Sequence, residues 1–152
     1  MAEPRTGLVS AVTYRDPKAA IAFLEKAFGF ELTFLLEDAD GNLAHSQMSW
    51  GGTTIMIGNE WSDNHASPAA LGGKTTQTVH IYVDDVDAHF ERAKAAGAEI
   101  LMEPETQFYG SRTYRCRDPE LHIWTISADI ETVSFAEMEE RSGLKVAVGS
   151  ED

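Results

Sequence analysis

Val79-His-Ile-Tyr-Val-Asp-Asp85-Val86, followed by an alanine-rich amphipathic stretch ending Lys94-Ala-Ala-Gly97-Ala-Glu-Ile100, decides the fold, because the chain holds nearly the same order about 68 residues earlier. There Ala11-Val-Thr-Tyr-Arg-Asp16-Pro17 leads into a similar stretch ending Lys26-Ala-Phe-Gly29-Phe-Glu-Leu32. Each copy reads strand, Asp, helix, Gly, strand. Asp caps the free amide groups of a first helical turn, and Pro17 is pre-shaped for that turn. Gly29 and Gly97 stand where each helix must stop. A unit this short cannot bury its apolar face alone, so two copies must share a sheet or a core. Such pairing creates a cleft between the halves, and function is expected there.

Working outward, Leu8 to Tyr14 reads as a strand, and Ala20, Ile21, Phe23, Leu24, Ala27 and Phe28 recur at helical spacing. Glu31 to Leu36 reads as a strand, Asp38 to Asn42 as a turn, and Ala44 to Trp50 with Thr53 to Ile57 as a hairpin around Gly51-Gly52. Residues 7–58 therefore form a βαβββ module. Residues 59–76 are a linker rich in Asn, Ser, Asp, Pro and Gly. Residues 77–128 repeat the module, with a helix over Asp85 to Ala96 and later strands over Glu99 to Met102, Arg112 to Arg117 and Ile123 to Ser127. Ser134-Phe-Ala-Glu137 is a capping box, so residues 129–152 hold a short helix, ended by Gly143, and a tail. The fold class is α+β, a single domain of two repeated modules.

The 152 residues carry 12 Lys plus Arg against 25 Asp plus Glu, a net charge of -13. Such a surface repels nucleic acid and anionic membranes, so neither is an expected partner. Cys116 is the single cysteine, which excludes an intramolecular disulfide and fits a reducing cytosol; in a strand it reads as a small core residue. No early apolar stretch reaches signal or membrane-spanning length, and a cytoplasmic location is expected.

Asp16-Pro-Lys-Ala-Ala-Ile-Ala-Phe23 with Lys26-Ala-Phe-Gly-Phe30 resembles the opening helix of the glyoxalase/bleomycin-resistance/extradiol-dioxygenase proteins, the vicinal oxygen chelate superfamily. Tyr109-Gly-Ser-Arg112, followed by Arg117-Asp-Pro-Glu-Leu-His-Ile-Trp124, resembles the closing hairpin of its PhnB-like, glyoxalase-like branch. The resemblance implies that each module curls its sheet into half of a cup and that two modules, from one chain or exchanged between two, close it. It also implies a homodimer. The metal enzymes of the family place ligands on the first and last strands of the modules and on a third strand between them. Counting from the helix-start Asp residues and from Asp118-Pro119, those positions fall at Val9, Thr78 and Thr125, with the remaining one at His45 or Gln47. Valine has no lone pair and a neutral Thr hydroxyl is a poor ligand for a catalytic metal, so no metal or other cofactor is expected. His80, two residues beyond Thr78, shares its face but stands about 6–7 Å away, too far to replace a lost ligand silently.

Strand alternation then places Thr13, His45, Gln47, Thr78, His80, Tyr82 and Thr125 toward the cup, with Val79, Ile81, Val83 and Trp124 toward the helices. The inward set is mostly neutral hydrogen-bonding groups, suited to a small polar or aromatic molecule, and no carboxylate is expected in the hollow. His45 and His80 read either as ligand contacts or as ordinary half-buried strand histidines. Trp50 and Trp61 read as apolar plugs, or Trp61 as a stacking lid at the cup mouth. Tyr109 and Arg112 precede the closing hairpin, where Arg112 either clamps an anionic ligand group or holds an acidic neighbour. His122 reads as fixing its turn. The leading expectation is a metal-free binding protein with no catalytic residues, its acidic surface suiting a cationic ligand and its Trp and Tyr an aromatic one. The alternatives are a metal-dependent lyase or dioxygenase acting on vicinal oxygens, and a structural or regulatory dimer with a filled cup.

Overall fold

The computed structural model describes residues 2–149; of the expected C-terminal tail, residues 150–152 lie outside the described residues. The first module comprises β1 (Ser10–Tyr14), α1 (Pro17–Phe28), β2 (Glu31–Glu37), β3 (Leu43–Trp50) and β4 (Thr53–Asn59). The second comprises β5 (Val79–Tyr82), α2 (Val86–Ala95), β6 (Glu99–Thr106), β7 (Ser111–Arg117) and β8 (Ile123–Asp129), and α3 (Phe135–Ser142) follows. Each module builds a four-stranded mixed sheet, ordered β1-β4-β3-β2 in one and β5-β8-β7-β6 in the other. The first strand of each lies parallel to the last, and the remaining pairs are antiparallel.

Local chemistry explains the elements. Asp16 and Asp85 accept from the backbone N–H groups of Ala19 and Ala88, capping α1 and α2. Gly29 ends α1 in the left-handed region at φ 82°, which a residue with a side chain rarely adopts. Ser134 and Glu137 form the reciprocal capping box at α3. The expected linker carries an additional short 3-10 helix at Pro68–Leu71, and β6 runs to Thr106, beyond the expected Met102, with two register irregularities. Among the described residues no helix is long and apolar enough to cross a membrane.

The helix-bearing sides of both modules meet in one continuous core. Phe28 packs against Trp124 (ring centroids 5.0 Å apart) and Phe30 against Trp124 (5.7 Å), while α1 and α2 lie against each other. The exposed C-terminal carbonyls of α1 need partners, and α2 supplies them. Arg92 Nε donates to Lys26 O (2.9 Å), Arg92 Nη2 to Glu25 O (3.0 Å), and His89 Nε2 to Phe28 O (3.1 Å). Trp50 Nε1 donates to Tyr82 O (3.1 Å), and its ring packs on Phe30 and His89. Trp50 is thus an apolar plug between modules. Because the helix-bearing faces are buried together, the opposite face of each sheet lies outside that core.

Candidate functional site

Those two outer faces carry most of the residues expected in the cup. On the first, Val12, Tyr14, Ile55, Ile57 and Met48 point into the core, so alternation turns Thr13, Met56, Gln47 and His45 outward. Cross-strand register sets Met56 between Ala11 and Gln47, and pairs Phe34 with Gln47 and Leu36 with His45. Around Gln47 and His45 the face holds neutral groups and apolar surface, with Glu31 opposite Ser49 toward its edge. Gln47 Nε2 lies 3.2 Å from His45 Nε2, and the Phe34 and His45 rings are 5.7 Å apart.

The linker folds over this face. Trp61 lies against His65 with ring centroids 4.3 Å apart, and Ser62 Oγ bonds His65 Nδ1 at 2.6 Å. Together Trp61 and His65 roof a cavity of about 290 Å³ whose floor includes Thr13, His45, Met56 and Gly58. Trp61 is 71% exposed, so burial in this chain does not explain its presence. The cavity stands at the lower edge of the size that holds a drug-sized molecule, about 300 Å³.

On the second face, Trp124, Ile126, Tyr114 and Cys116 are wholly buried in the core, and Thr125, Ser127, Thr113, Arg115 and Arg117 turn the other way. One row across this sheet runs His80, Thr125, Arg115, Met102; the next runs Tyr82, Ser127, Thr113, Glu105. His80 Nε2 bonds Ser127 Oγ (2.8 Å), which bonds Thr113 Oγ1 (2.8 Å), and the His80 and Tyr82 rings stack at 4.9 Å and 9°. Partial burial, and then the Arg115 charge, lower the pKa of His80 below the ordinary histidine value.

The structure therefore brings Thr13, His45 and Trp61 around one cavity, with Gln47 beside them on the same face, and groups His80, Tyr82 and Thr125 on the other face. Thr78 and His80 line a separate groove of about 310 Å³ beside Trp50 and Phe30. The two groups do not converge within one chain. Arg112 belongs to neither. Its guanidinium faces α2 and grips Asp87 through Nε (2.9 Å) and Nη2 (3.0 Å), because buried Tyr114 and Cys116 set the phase of β7 and put Arg112 on their side. Tyr109 sits on the exposed β6–β7 turn against Phe108 and lines neither cavity. His122 donates to Thr13 O (2.6 Å) and fixes its turn to β1.

Carboxylates stand on both faces, although none is expected in the hollow: on the first, Glu31 lies opposite Ser49 at the edge away from the cavity, and the second holds several. There Glu99 pairs with Arg117 (3.6 Å) and Asp129 accepts from Ser111 (2.6 Å), because β6 and the end of β8 border this sheet. Glu99 and Asp129 are engaged in these contacts, Glu105 stands opposite Thr113 on the same face, and among the described residues no three His, Cys, Asp or Glu side chains converge as a metal site. Val9, Thr78 and Thr125, with His45 or Gln47, do not make a donor set for a catalytic divalent ion. Arg115, which the sequence reading passed over, is the notable addition. Its position followed from the same alternation that makes Cys116 a core residue.

Comparison with known proteins agrees with this architecture. Uncharacterized protein Mb0911c of Mycobacterium bovis is 33% identical over 128 residues, covering 82% of this chain and 84% of that protein. The crystal structure of TioX from Micromonospora sp. ML1 is 33% identical and superposes with a TM-score of 0.68, covering 83% of this chain and 100% of that one. TnmS3, described as an antibiotic binding protein from Streptomyces sp. CB03234, shares the fold at 20% identity and a TM-score of 0.65, covering 85% of this chain and 98% of that one. The family model for the Glyoxalase/Bleomycin resistance protein/Dioxygenase superfamily matches residues 8–126, and it is to this superfamily that the chain belongs.

Proposed function

We propose that the chain captures a small polar aromatic compound, without a metal, in a cup closed by two copies. The observation that carries this reading is the first-module cavity, where Thr13 and His45 offer hydrogen bonds beneath the exposed Trp61–His65 pair. A planar ring held under Trp61 gains stacking and apolar burial, while the floor fixes its orientation. The half-cup, at about 290 Å³, stands just under the roughly 300 Å³ at which drug-sized pockets begin. The second face, with His80 and Tyr82, is uncovered and lies on the other side of the chain's core, so a second copy supplies the opposite wall. Exposed Phe34 and Leu36 on the first face favour the same pairing. Antibiotic binding by TnmS3 illustrates that the fold serves this purpose in another protein. A cytoplasmic setting suits the unpaired, buried Cys116.

The competing reading is a metal-dependent lyase or dioxygenase for substrates with vicinal oxygens, and it rests on His45 and His80. Two measurements separate them. Metal analysis of protein purified without chelators should find less than one equivalent of zinc, nickel, iron or manganese, and a thermal-shift screen of planar heteroaromatic compounds should raise the melting temperature. A stoichiometric ion whose removal abolishes binding would sink the metal-free reading. A screen with no stabilising compound would favour a dimer with a filled cup.

A further inference from the structure

We propose that the second-module face holds an oxyanion of the captured molecule, a carboxylate or a phosphate, on Arg115, with the stacked His80–Tyr82 pair as the ledge under the adjoining ring; this rests on the binding reading above and names the class of ligand.

Arg115 stands on β7, an inner strand, and its backbone neighbours Tyr114 and Cys116 are wholly buried on the opposite side, so its side chain projects from the open face. Nε donates to Thr125 Oγ1 at 3.3 Å, which steadies the inner edge of the guanidinium, and its two terminal nitrogens have no partner among the described residues. A guanidinium presents paired donors that match the two oxygens of a carboxylate or phosphate. Among the described residues no carboxylate lies within 4.0 Å of Arg115, whereas Arg15, Arg112, Arg117 and Arg141 each have one. Of the seven arginines, Arg5 and Arg92 also lack a carboxylate in that range, but Arg92 spends its donors on the carbonyls of Lys26 and Glu25, whereas Arg115 sits on the open sheet face with only Nε engaged.

A second observation points the same way. Arg117 lies two residues along the same strand and the same face, about 6–7 Å away. Its Nε is buried without a hydrogen-bond partner among the described residues, and its contact with Glu99 is long at 3.6 Å. Charge-assisted bonds usually close to about 2.7–2.9 Å, so this cation is weakly compensated. The ledge beside them is flat and wettable. Tyr82 is 59% exposed, and the ring of His80 is oriented through Ser127 and Thr113, both buried, leaving Nδ1 without a partner among the described residues. Glu99, Glu105 and Asp129 share this face with Arg115 and Arg117, so the face carries no net positive charge, and what favours an oxyanion is contact with the Arg115 fork. Net charge governs approach, and contact geometry governs what is held.

The test uses the full chain and three matched probes: 2-naphthoate, methyl 2-naphthoate and 2-naphthylmethylammonium. Calorimetric titration at pH 7.5 should find the acid bound about tenfold or more tightly than its ester. Arg115→Gln should erase that preference while leaving the ester affinity and the melting temperature near wild type, and Arg112→Gln should leave the preference intact. Equal binding of acid and ester, or preference for the ammonium, overturns the oxyanion site and leaves aromatic capture standing. Failure of all three probes to bind overturns both. Sedimentation of Arg115→Gln supplies the remaining check: a dimer that falls apart with this substitution means a carboxylate of the second copy occupies the arginine, and the inference is wrong.

Discussion

Tyr14 donates its hydroxyl to the Asp118 carboxylate at 2.6 Å, across a separation of 104 residues. The same carboxylate accepts from Trp124 Nε1 (3.0 Å) and from the backbone N–H groups of Glu120 (3.0 Å) and His122 (3.1 Å). One buried acid therefore pins the first strand of one module to the closing turn of the other. Asp118→Asn turns an amide N–H₂ toward these donors and should destabilise the chain by about 2–4 kcal/mol, and Tyr14→Phe by about 1–2 kcal/mol, in urea unfolding. A loss below about 0.5 kcal/mol for Asp118→Asn would show that the network contributes no stability.

The roof residue should separate binding from folding. Trp61→Ala removes a side chain that is 71% exposed, so stability should stay within about 0.5 kcal/mol of wild type. Affinity for methyl 2-naphthoate should fall about three- to tenfold, the range expected for losing one aromatic contact. Unaltered affinity by calorimetric titration would remove Trp61 from the site.

Assembly can be tested at the rim of the first face. Phe34 is 39% exposed and pairs in register with Gln47. Wild-type protein should sediment as a dimer, and Phe34→Asp should shift it toward monomer and weaken probe binding in parallel, because the second wall of the cup leaves with the partner. A monomeric wild type that binds with full affinity would contradict the two-copy cup.

His89 makes stability depend on pH in a defined direction. A carbonyl only accepts, so Nε2 donates to Phe28 O and the neutral ring takes the Tyr114 hydroxyl on Nδ1 at 2.6 Å. Burial, outweighing that carbonyl bond, holds its pKa below the ordinary value. The unfolded chain therefore takes up this proton first as pH falls. The contribution of neutral His89 is complete above about pH 6.5 and is lost as pH drops from there toward the lowered folded-state value. The stability gap between wild type and His89→Gln in urea should narrow between pH 7.5 and pH 5, and a constant gap would show an unperturbed ring.

Gly110 has no tolerance for a side chain. Its φ is 97°, and a Cβ there would sit 2.3 Å from Glu131 O, the carbonyl of a segment whose Ile130 and Glu131 N–H groups both donate to Gly110 O. Gly110→Ala should cost at least about 1–3 kcal/mol and loosen the β6–β7 turn against the chain leading to α3. Thermal melting within about 1 °C of wild type would refute the close approach.

Much of this architecture was written locally. The repeat, the Asp caps and Gly29 place strands and helices without reference to distant residues, since capping and left-handed backbone are decided within a few positions. Alternation likewise assigned Thr13, His45, Gln47, His80 and Thr125 to open faces, because successive strand residues must point opposite ways. The same rule, phased on Tyr114 and Cys116, separates Arg112 from Arg115, but the phase becomes certain only once those two are seen buried against Phe90 and Trp124. The tertiary structure alone decided that the helix-bearing faces of both modules merge around Phe28, Trp124 and His89, leaving the polar faces apart and open. Hydrophobic packing is non-directional, so periodicity shows which side of a module must be buried and says nothing of what buries it.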